Sequence, residues 1–158
     1  SANGLPLGAF TTRPDIADSF TPGSHLSTFG GNPVSCAASL ANIDAIFEEK
    51  MCENAVERGE QLMAGLRKIA EDCPLIGEVR GKGLMIGVEL VKDQEKTPAS
   101  DQAKEVRCLC REAGILIGVG GSLANVVRLQ PPLTLTEDDV ERILDTLGKT
   151  LRTVGKNL

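Results

Sequence analysis

The stretch IGEVRGKGLMIGVEL, residues 76–90, decides the predicted fold, because the spacing of apolar residues changes here from helical to strand-like. Ile76–Gly81 and Gly83–Leu90 are short runs rich in β-branched and apolar residues, which is typical of strands. The Gly-Lys-Gly sequence at 81–83 between them predicts a tight turn. We therefore expect an antiparallel hairpin at the centre of the chain.

Helical patterns lie on both sides of this hairpin. Apolar residues recur every three or four positions over residues 52–71, and Pro74 ends that helix. The order helix, strand, strand, helix, strand, strand, helix, with short connections, predicts an α+β two-layer fold. Its sheet is mostly antiparallel, with about four strands and helices on one face. The elements predicted after the hairpin are helix 101–113, strand 115–119, strand 125–129 and a last helix opened by a Thr136–Asp139 capping box.

The motif His25–Pro33, HLSTFGGNP, precedes a helix predicted to run to about residue 49. Asn32 suits the N-cap of that helix and Pro33 suits its first turn. N–H groups at such a helix start, beside the hydroxyls of Ser27 and Thr28, can bind a phosphate or carboxylate. A capped helix after a tight turn, with no ligand, is the alternative interpretation.

The composition restricts the possible functions. The chain has 158 residues, enough for one domain or one domain with a piece of another, and its net charge is −5. An acidic chain without a basic stripe or aromatic platform argues against nucleic-acid binding. No apolar run reaches a membrane-spanning length, so no membrane partner is expected. Five cysteines without a CxxC pair, and a single histidine, argue against a metal site and for reduced thiols in a cytoplasmic protein.

Aromatic residues occur only near the beginning, where charged residues are few. Residues 9–12 are predicted as a short strand and residues 13–24 as a loop, so the first 32 residues have little regular structure. A segment so poor in charge usually faces a partner surface. We therefore expect residues 1 to about 33 to be rearranged or packed on a neighbouring copy. The four aromatic residues are Phe10, Phe20, Phe29 and Phe47.

Arg128 is the strongest candidate for chemistry, because it stands in the apolar strand run VVRL just before two prolines. A charge in such a run needs a partner or an edge position, and an arginine fork binds a carboxylate through two hydrogen bonds. A solvated strand-end arginine is the alternative. Arg80 can bind an anion or stabilise the turn, Glu89 is interpreted as half of an ion pair, and His25 is expected to orient its loop.

Four ordered blocks give the chain a family resemblance: NGLPLGA at 3–9, the motif at 25–33, VRGKGLMIG at 79–87 and VRLQPPL at 127–133. With these blocks the chain resembles the C-terminal part of class III, ornithine aminotransferase-like, pyridoxal-phosphate-dependent aminotransferases. The alanine–glyoxylate and 4-aminobutyrate branch is the most similar. The resemblance implies that residues 34–158 are the small domain of a fold-type I transferase. Residues 1–33 are then a remnant of the large cofactor domain, with its inter-subunit phosphate loop.

The resemblance also implies roles for particular residues. Thr28, with Ser27 beside it, corresponds to the residue that reaches the phosphate of pyridoxal 5'-phosphate in the other subunit of a homodimer. Arg128 corresponds to the arginine that receives the substrate α-carboxylate. The substrates of the parent enzyme are then an amino acid and a 2-oxo acid, in an exchange of the alanine–glyoxylate, 4-aminobutyrate or acetylornithine type.

One feature of the family is missing from these 158 residues. The lysine that forms the Schiff base stands four positions before the Asn3-Gly4 motif, which is two residues before Ser1. No catalytic residue is therefore assigned, and the chain by itself is expected not to hold the cofactor or catalyse transamination. A stand-alone, non-catalytic binding or assembly module with the same fold is the alternative.

Overall fold

The computed structural model describes residues 3–156. The chain forms two compact units, residues 1–51 and 52–158. The first unit contains α1 (Pro14–Ala17) and α2 (Pro33–Glu48). The second unit contains α3 (Met51–Glu71, which begins at the last residue of the first unit), β1 (Ile76–Lys82), β2 (Met85–Leu90), α4 (Ser100–Glu112), β3 (Gly118–Gly120), β4 (Val126–Leu129) and α5 (Glu137–Gly155).

The four strands form one sheet in the order β1-β2-β4-β3, and every neighbouring pair is antiparallel. One register row crosses all four strands through valines, of which Val88 and Val127 are completely buried. Residues of α3, α4 and α5 join them in a single hydrophobic core. The predicted α+β fold, with an antiparallel sheet of four strands and helices on one face, is confirmed. The valine row consists of Val79, Val88, Val127 and Val119.

Two local predictions in the second unit need correction. Lys82 pairs with Met85, so the hairpin turn is Gly83-Leu84 rather than Gly-Lys-Gly at 81–83. The third strand begins at Gly118, three residues later than predicted. The reason is the end of α4: Gly114 at φ +81° and Ile115 donate backbone hydrogen bonds to the carbonyls of Arg111 and Cys110. This is a Schellman cap, and it uses Ile115, the first residue that the apolar pattern assigned to the strand.

The beginning of α5 is as predicted. The Thr136 hydroxyl accepts a hydrogen bond from the Asp139 N–H at 3.2 Å, and the Asp139 carboxylate accepts one from the Thr136 N–H at 3.0 Å. These reciprocal bonds form the capping box and satisfy N–H groups that the helix leaves without partners. None of the helices within residues 3–156 combines the length and apolar character that a membrane crossing requires.

The first unit differs from its prediction in two places. Residues 14–17, predicted as loop, form α1, which has Pro14 in its first turn. Residues 9–12, predicted as a strand, have no regular structure. The helix predicted from Pro33 is confirmed as α2, with Asn32 at its N-cap. The two compact units do not test whether residues 1–33 derive from a cofactor domain, so that assignment stays a prediction.

Candidate functional site

Arg128 lies on the open face of the sheet, opposite the helices. Its strand, β4, lies inside the sheet between β2 and β3. The arginine is therefore exposed because it faces outward from the sheet, and not because it lies on an edge strand. Its Nη2 donates a hydrogen bond to Gln130 Oε1 at 3.1 Å. Among residues 3–156, no carboxylate lies within ion-pair distance of it. An exposed guanidinium without a counter-charge suits a carboxylate ligand.

Arg80 lies on the same face, two strands away, and its charge is already compensated. Its Nη1 lies 2.6 Å from a carboxylate oxygen of Glu78 and 2.6 Å from one of Glu89. The hydrogen bond to Glu89 is the largest cause that raises the pKa of Arg80, and the charge of Glu78 adds to it. The expected ion pair of Glu89 is confirmed, and Arg80 is the structural residue rather than an anion-binding one. Of these two arginines, Arg128 is the one left to meet an external anion.

A cavity of about 330 Å³ opens between the two arginines. In the sheet register Gly87 pairs with Arg80 on one side and with Arg128 on the other, so no side chain fills the space between them. Met85 and Gln130 also line the cavity. A small carboxylate placed there would touch backbone on one side and the Arg128 fork on another.

Gly87 and Gln130 were not predicted from the sequence to belong to the site. Gly87 stands in the VRGKGLMIG block, where a glycine in a strand has many explanations, and only the strand pairing places it beside Arg128. Gln130 is two positions after Arg128, and strand alternation predicts that both face the same side. The two-residue spacing from Arg128 could therefore have predicted that Gln130 lies in the same site.

The loop before α2 surrounds a second cavity, of about 490 Å³, which lies within the first unit. Ser27 and His25 line it together with Pro6 and Gly8. The loop is built from two consecutive turns, closed by hydrogen bonds from Gly30 N–H to the Ser27 carbonyl and from Asn32 N–H to the Phe29 carbonyl.

Glycine suits both of the positions that follow Phe29, for different reasons. Gly31 has φ +66°, a conformation that side chains disfavour. A Cβ on Gly30 would lie 3.2 Å from Ser27 Cβ, a tight contact that would require a small shift of the loop. The two glycines thus let the loop fold tightly over Ser27.

The start of α2 offers fewer donors than the sequence predicted. Asn32 Oδ1 accepts hydrogen bonds from the N–H groups of Val34 at 3.0 Å and Ser35 at 3.2 Å. These amides are therefore occupied by the cap and do not point at an anion. The side-chain hydroxyls of Ser27 and Thr28 are exposed, and neither makes a hydrogen bond within the described chain. Two such hydroxyls on a tight loop fit one edge of a phosphate group.

Side chains that could bind a metal are dispersed over the described residues. Within residues 3–156, histidine, cysteine and carboxylate side chains do not gather in groups of three or more that could hold an ion. The thiols of Cys73 and Cys110 are buried, and burial raises the pKa of both.

Comparison with known proteins adds a family. The sequence model of the family described as Aminotransferase class-III matches residues 1–151. The chain is 45% identical over 150 residues to the Arabidopsis thaliana protein named alanine–glyoxylate aminotransferase 2 homolog 2, mitochondrial. This match covers 94% of this chain and 31% of that protein. It is 43% identical over 152 residues to a leucine/methionine racemase of Thermococcus litoralis, covering 96% of this chain and 34% of that protein.

A solved structure agrees with these sequence matches. A phospholyase from Arthrobacter, in complex with phosphoethanolamine, resembles this chain with a TM-score of 0.84 at 31% identity, over 90% of this chain and 34% of that one. The chain therefore spans about a third of the length of each of these proteins.

Proposed function

Since the chain belongs to the class III aminotransferase family, we propose that its residues form the C-terminal part of a pyridoxal-phosphate-dependent transaminase. The reaction moves an amino group between an amino acid and a 2-oxo acid, of the alanine–glyoxylate, 4-aminobutyrate or acetylornithine type. The observation that carries the proposal is Arg128, an exposed guanidinium without a carboxylate partner beside a cavity between two arginines.

Arg128 receives the carboxylate that both substrates have in common. Its fork donates two parallel hydrogen bonds to the carboxylate oxygens, and this fixes the orientation of the amino acid as well as its charge. Arg80 does not compete for the substrate, because Glu78 and Glu89 compensate its charge. The absence of a side chain at Gly87 leaves room for the carboxylate against the sheet.

Ser27 and Thr28 hold the cofactor phosphate in this proposal. Their hydroxyls donate hydrogen bonds to phosphate oxygens, and the folded loop keeps both hydroxyls on the protein surface. When bound, pyridoxal 5'-phosphate withdraws electrons from the α-carbon of the amino acid. The two residues contribute position and hydrogen bonds rather than proton transfer.

A second copy of the protein is the proposed partner of the first unit. All four phenylalanines are exposed, with relative exposures of 71% for Phe10, 51% for Phe20, 76% for Phe29 and 74% for Phe47. Exposed aromatic side chains in this number are typical of an interface. Sedimentation of the whole protein should therefore give an oligomer, and a monomer at micromolar concentration would contradict this part of the proposal.

The 158 residues by themselves are proposed to be inactive. Neither the cavity beside Arg128 nor the cavity beside Ser27 is lined by a lysine that could bind the cofactor covalently. Pyridoxal phosphate, L-alanine and glyoxylate added to this chain should produce no glycine. Steady turnover would show that the residues present are sufficient.

The function itself is tested on the whole protein encoded by the gene that carries these residues. With pyridoxal phosphate and a panel of amino acids and 2-oxo acids, the wild type should transfer an amino group to at least one acceptor. Arg128→Gln should raise the KM for the amino acid about tenfold or more, because it removes a charged hydrogen-bonding pair. Arg142→Gln, on the exposed side of α5, is the control and should leave KM unchanged.

Three results would overturn this function. The first is racemisation of an amino acid without amino transfer, and the second is release of phosphate from an amino phosphate, which are the activities named for two of the matched proteins. The third is a folded whole protein that is inactive with every substrate pair, which would favour the non-catalytic binding or assembly module.

A further inference from the structure

Two glycines of β3 lie beneath the side chain of Arg128. Gly118 pairs with Arg128 in the register, and Gly120 is two residues further along the same strand, on the same face of the sheet. A Cβ added to Gly120 would lie 2.9 Å from Arg128 Cδ and 3.3 Å from its Nη1. A Cβ added to Gly118 would lie 3.5 Å from Arg128 Cβ, which is ordinary van der Waals contact. The aliphatic part of Arg128 therefore passes directly over Gly120.

The position of the Arg128 side chain depends on packing more than that of Arg80 does. Arg80, on the same face, is fixed by two carboxylates, whereas Arg128 has only the amide oxygen of Gln130 as a polar partner among the described residues. A long side chain with one neutral hydrogen bond keeps most of its rotamers unless a surface restricts them. The bare backbone at Gly120 supplies such a surface.

Neither glycine is required by its backbone conformation. Gly118 and Gly120 are not among the residues with positive φ, so alanine fits the strand at both positions. They differ in the room for a methyl group, which would make ordinary contact with Arg128 Cβ at Gly118 but would lie 2.9 Å from Arg128 Cδ at Gly120. The lack of a side chain at Gly120 therefore makes room for the side chain of Arg128 and is not required by the backbone conformation of β3.

We propose that Gly120 is a positioning residue that seats the stem of Arg128 and thereby sets where its guanidinium meets a substrate carboxylate. This inference rests on the proposed role of Arg128. A methyl group at Gly120 displaces the flexible end of the arginine before it displaces the strand, because Cδ can move by rotation about side-chain bonds. The displaced guanidinium no longer presents both N–H groups to the bound carboxylate.

The test compares Gly120→Ala with Gly118→Ala in the 158-residue chain. In the wild type, NMR should show a nuclear Overhauser effect between the δ protons of Arg128 and the α protons of Gly120. In Gly120→Ala the Nε–H resonance of Arg128 should shift, whereas Gly118→Ala should leave it in place. Both variants should keep the circular dichroism spectrum of the wild type. Absence of the wild-type Overhauser effect overturns the inference whether or not a variant folds.

A titration of the same 158-residue proteins with pyruvate connects the position of Arg128 to carboxylate binding. Gly120→Ala should weaken pyruvate binding about tenfold through loss of the two-point hydrogen bond, and Gly118→Ala should change it by less than about twofold. Arg128→Gln separates the two hypotheses. If Arg128→Gln binds pyruvate as well as the wild type, the proposed role of Arg128 fails. If Arg128→Gln binds pyruvate more weakly but Gly120→Ala binds it as well as the wild type, the role of Arg128 stands and the positioning role of Gly120 is wrong.

Discussion

Gly59 on α3 gives the sharpest test of the packing between helix and sheet. A Cβ at this position would lie 2.5 Å from the carbonyl carbon and 2.8 Å from the Cα of Gly83, and closer still to the carbonyl oxygen. Gly83 is in the β1–β2 turn at φ +53°, held between the paired residues Lys82 and Met85. The obstacle is therefore backbone, which cannot rotate away as a side chain can.

Gly59→Ala should destabilise the second unit although alanine is the better helix former. Replacing a mid-helix glycine by alanine stabilises a helix by roughly 0.5–1 kcal/mol. Forcing an extra methyl group into a packed interior costs roughly 1–3 kcal/mol. Because the obstacle is backbone, the cost should lie in the upper part of that range, about 2–3 kcal/mol, which leaves a net loss of about 1–2.5 kcal/mol of unfolding free energy. With an m value of about 2 kcal/mol/M, the urea midpoint should move downward by about 0.5–1.2 M.

Gly65→Ala in the same helix is the matched control. Its Cβ would lie 2.6 Å from Cδ2 and 3.0 Å from Cγ of Leu144, and closer still to Cδ1, so the obstacle is a side chain that can change rotamer. We expect it to stay within about 1 kcal/mol of the wild type. Helical circular dichroism is the suitable signal, because the chain has neither tryptophan nor tyrosine. A Gly59→Ala variant as stable as the wild type, or more stable, would refute the close helix–turn contact.

Other perturbations test individual interactions of the second unit. Asn125→Ala should cost about 1–3 kcal/mol in urea unfolding, because this side chain is 4% exposed and satisfies a β2 carbonyl at 2.8 Å. Hydrogen bonds from Thr136 lower the pKa of Asp139, so its stabilisation is complete above the unfolded pKa and is lost as pH falls through the folded pKa. Asp139→Asn should therefore be less stable than the wild type near pH 7, and the difference should shrink below about pH 4; a constant difference would contradict the capping role. Mass-spectrometric alkylation at pH 8 should label the exposed Cys52 before Cys73, whose pKa burial raises, and equal rates would contradict that burial.

The elements that could be predicted from sequence are those whose signals are local. The capping box at Thr136 and the cap at Asn32 depend on side chains within three residues of their targets, so residue type and spacing are enough. Strand alternation also accounts for the inward side of each valine, whereas the row that the valines form depends on strand order and register. The start of β3 could not be predicted, because an apolar run does not reveal that the Schellman cap of α4 uses its first residue, Ile115.

The candidate site was predicted only in part for the same reason. Arg128 attracts attention as a charge in an apolar strand, and the ion pair of Glu89 follows from its partly apolar setting. Which arginine is compensated depends on the pairing of β1 with β2, since Glu89 reaches Arg80 across nine positions of sequence. For the start of α2 the motif allows either an anion site or a capped helix without a ligand, and the Asn32 side chain accepts the hydrogen bonds of the Val34 and Ser35 amides.

The sequence by itself determined the α+β class, the order of helices and strands in the second unit, the caps at Asn32 and Thr136, and the family to which the chain belongs. These properties depend on periodicity and on short motifs, which act between residues close in the chain. Only the tertiary structure decided that Gly87 separates Arg80 from Arg128 and that Gly120 carries the stem of Arg128. The physical reason is that the pairing of β2 with β4 places Gly87 beside Arg128, 41 positions further along the chain. The effect of an absent side chain, as at Gly120, depends on the group that packs against the backbone there.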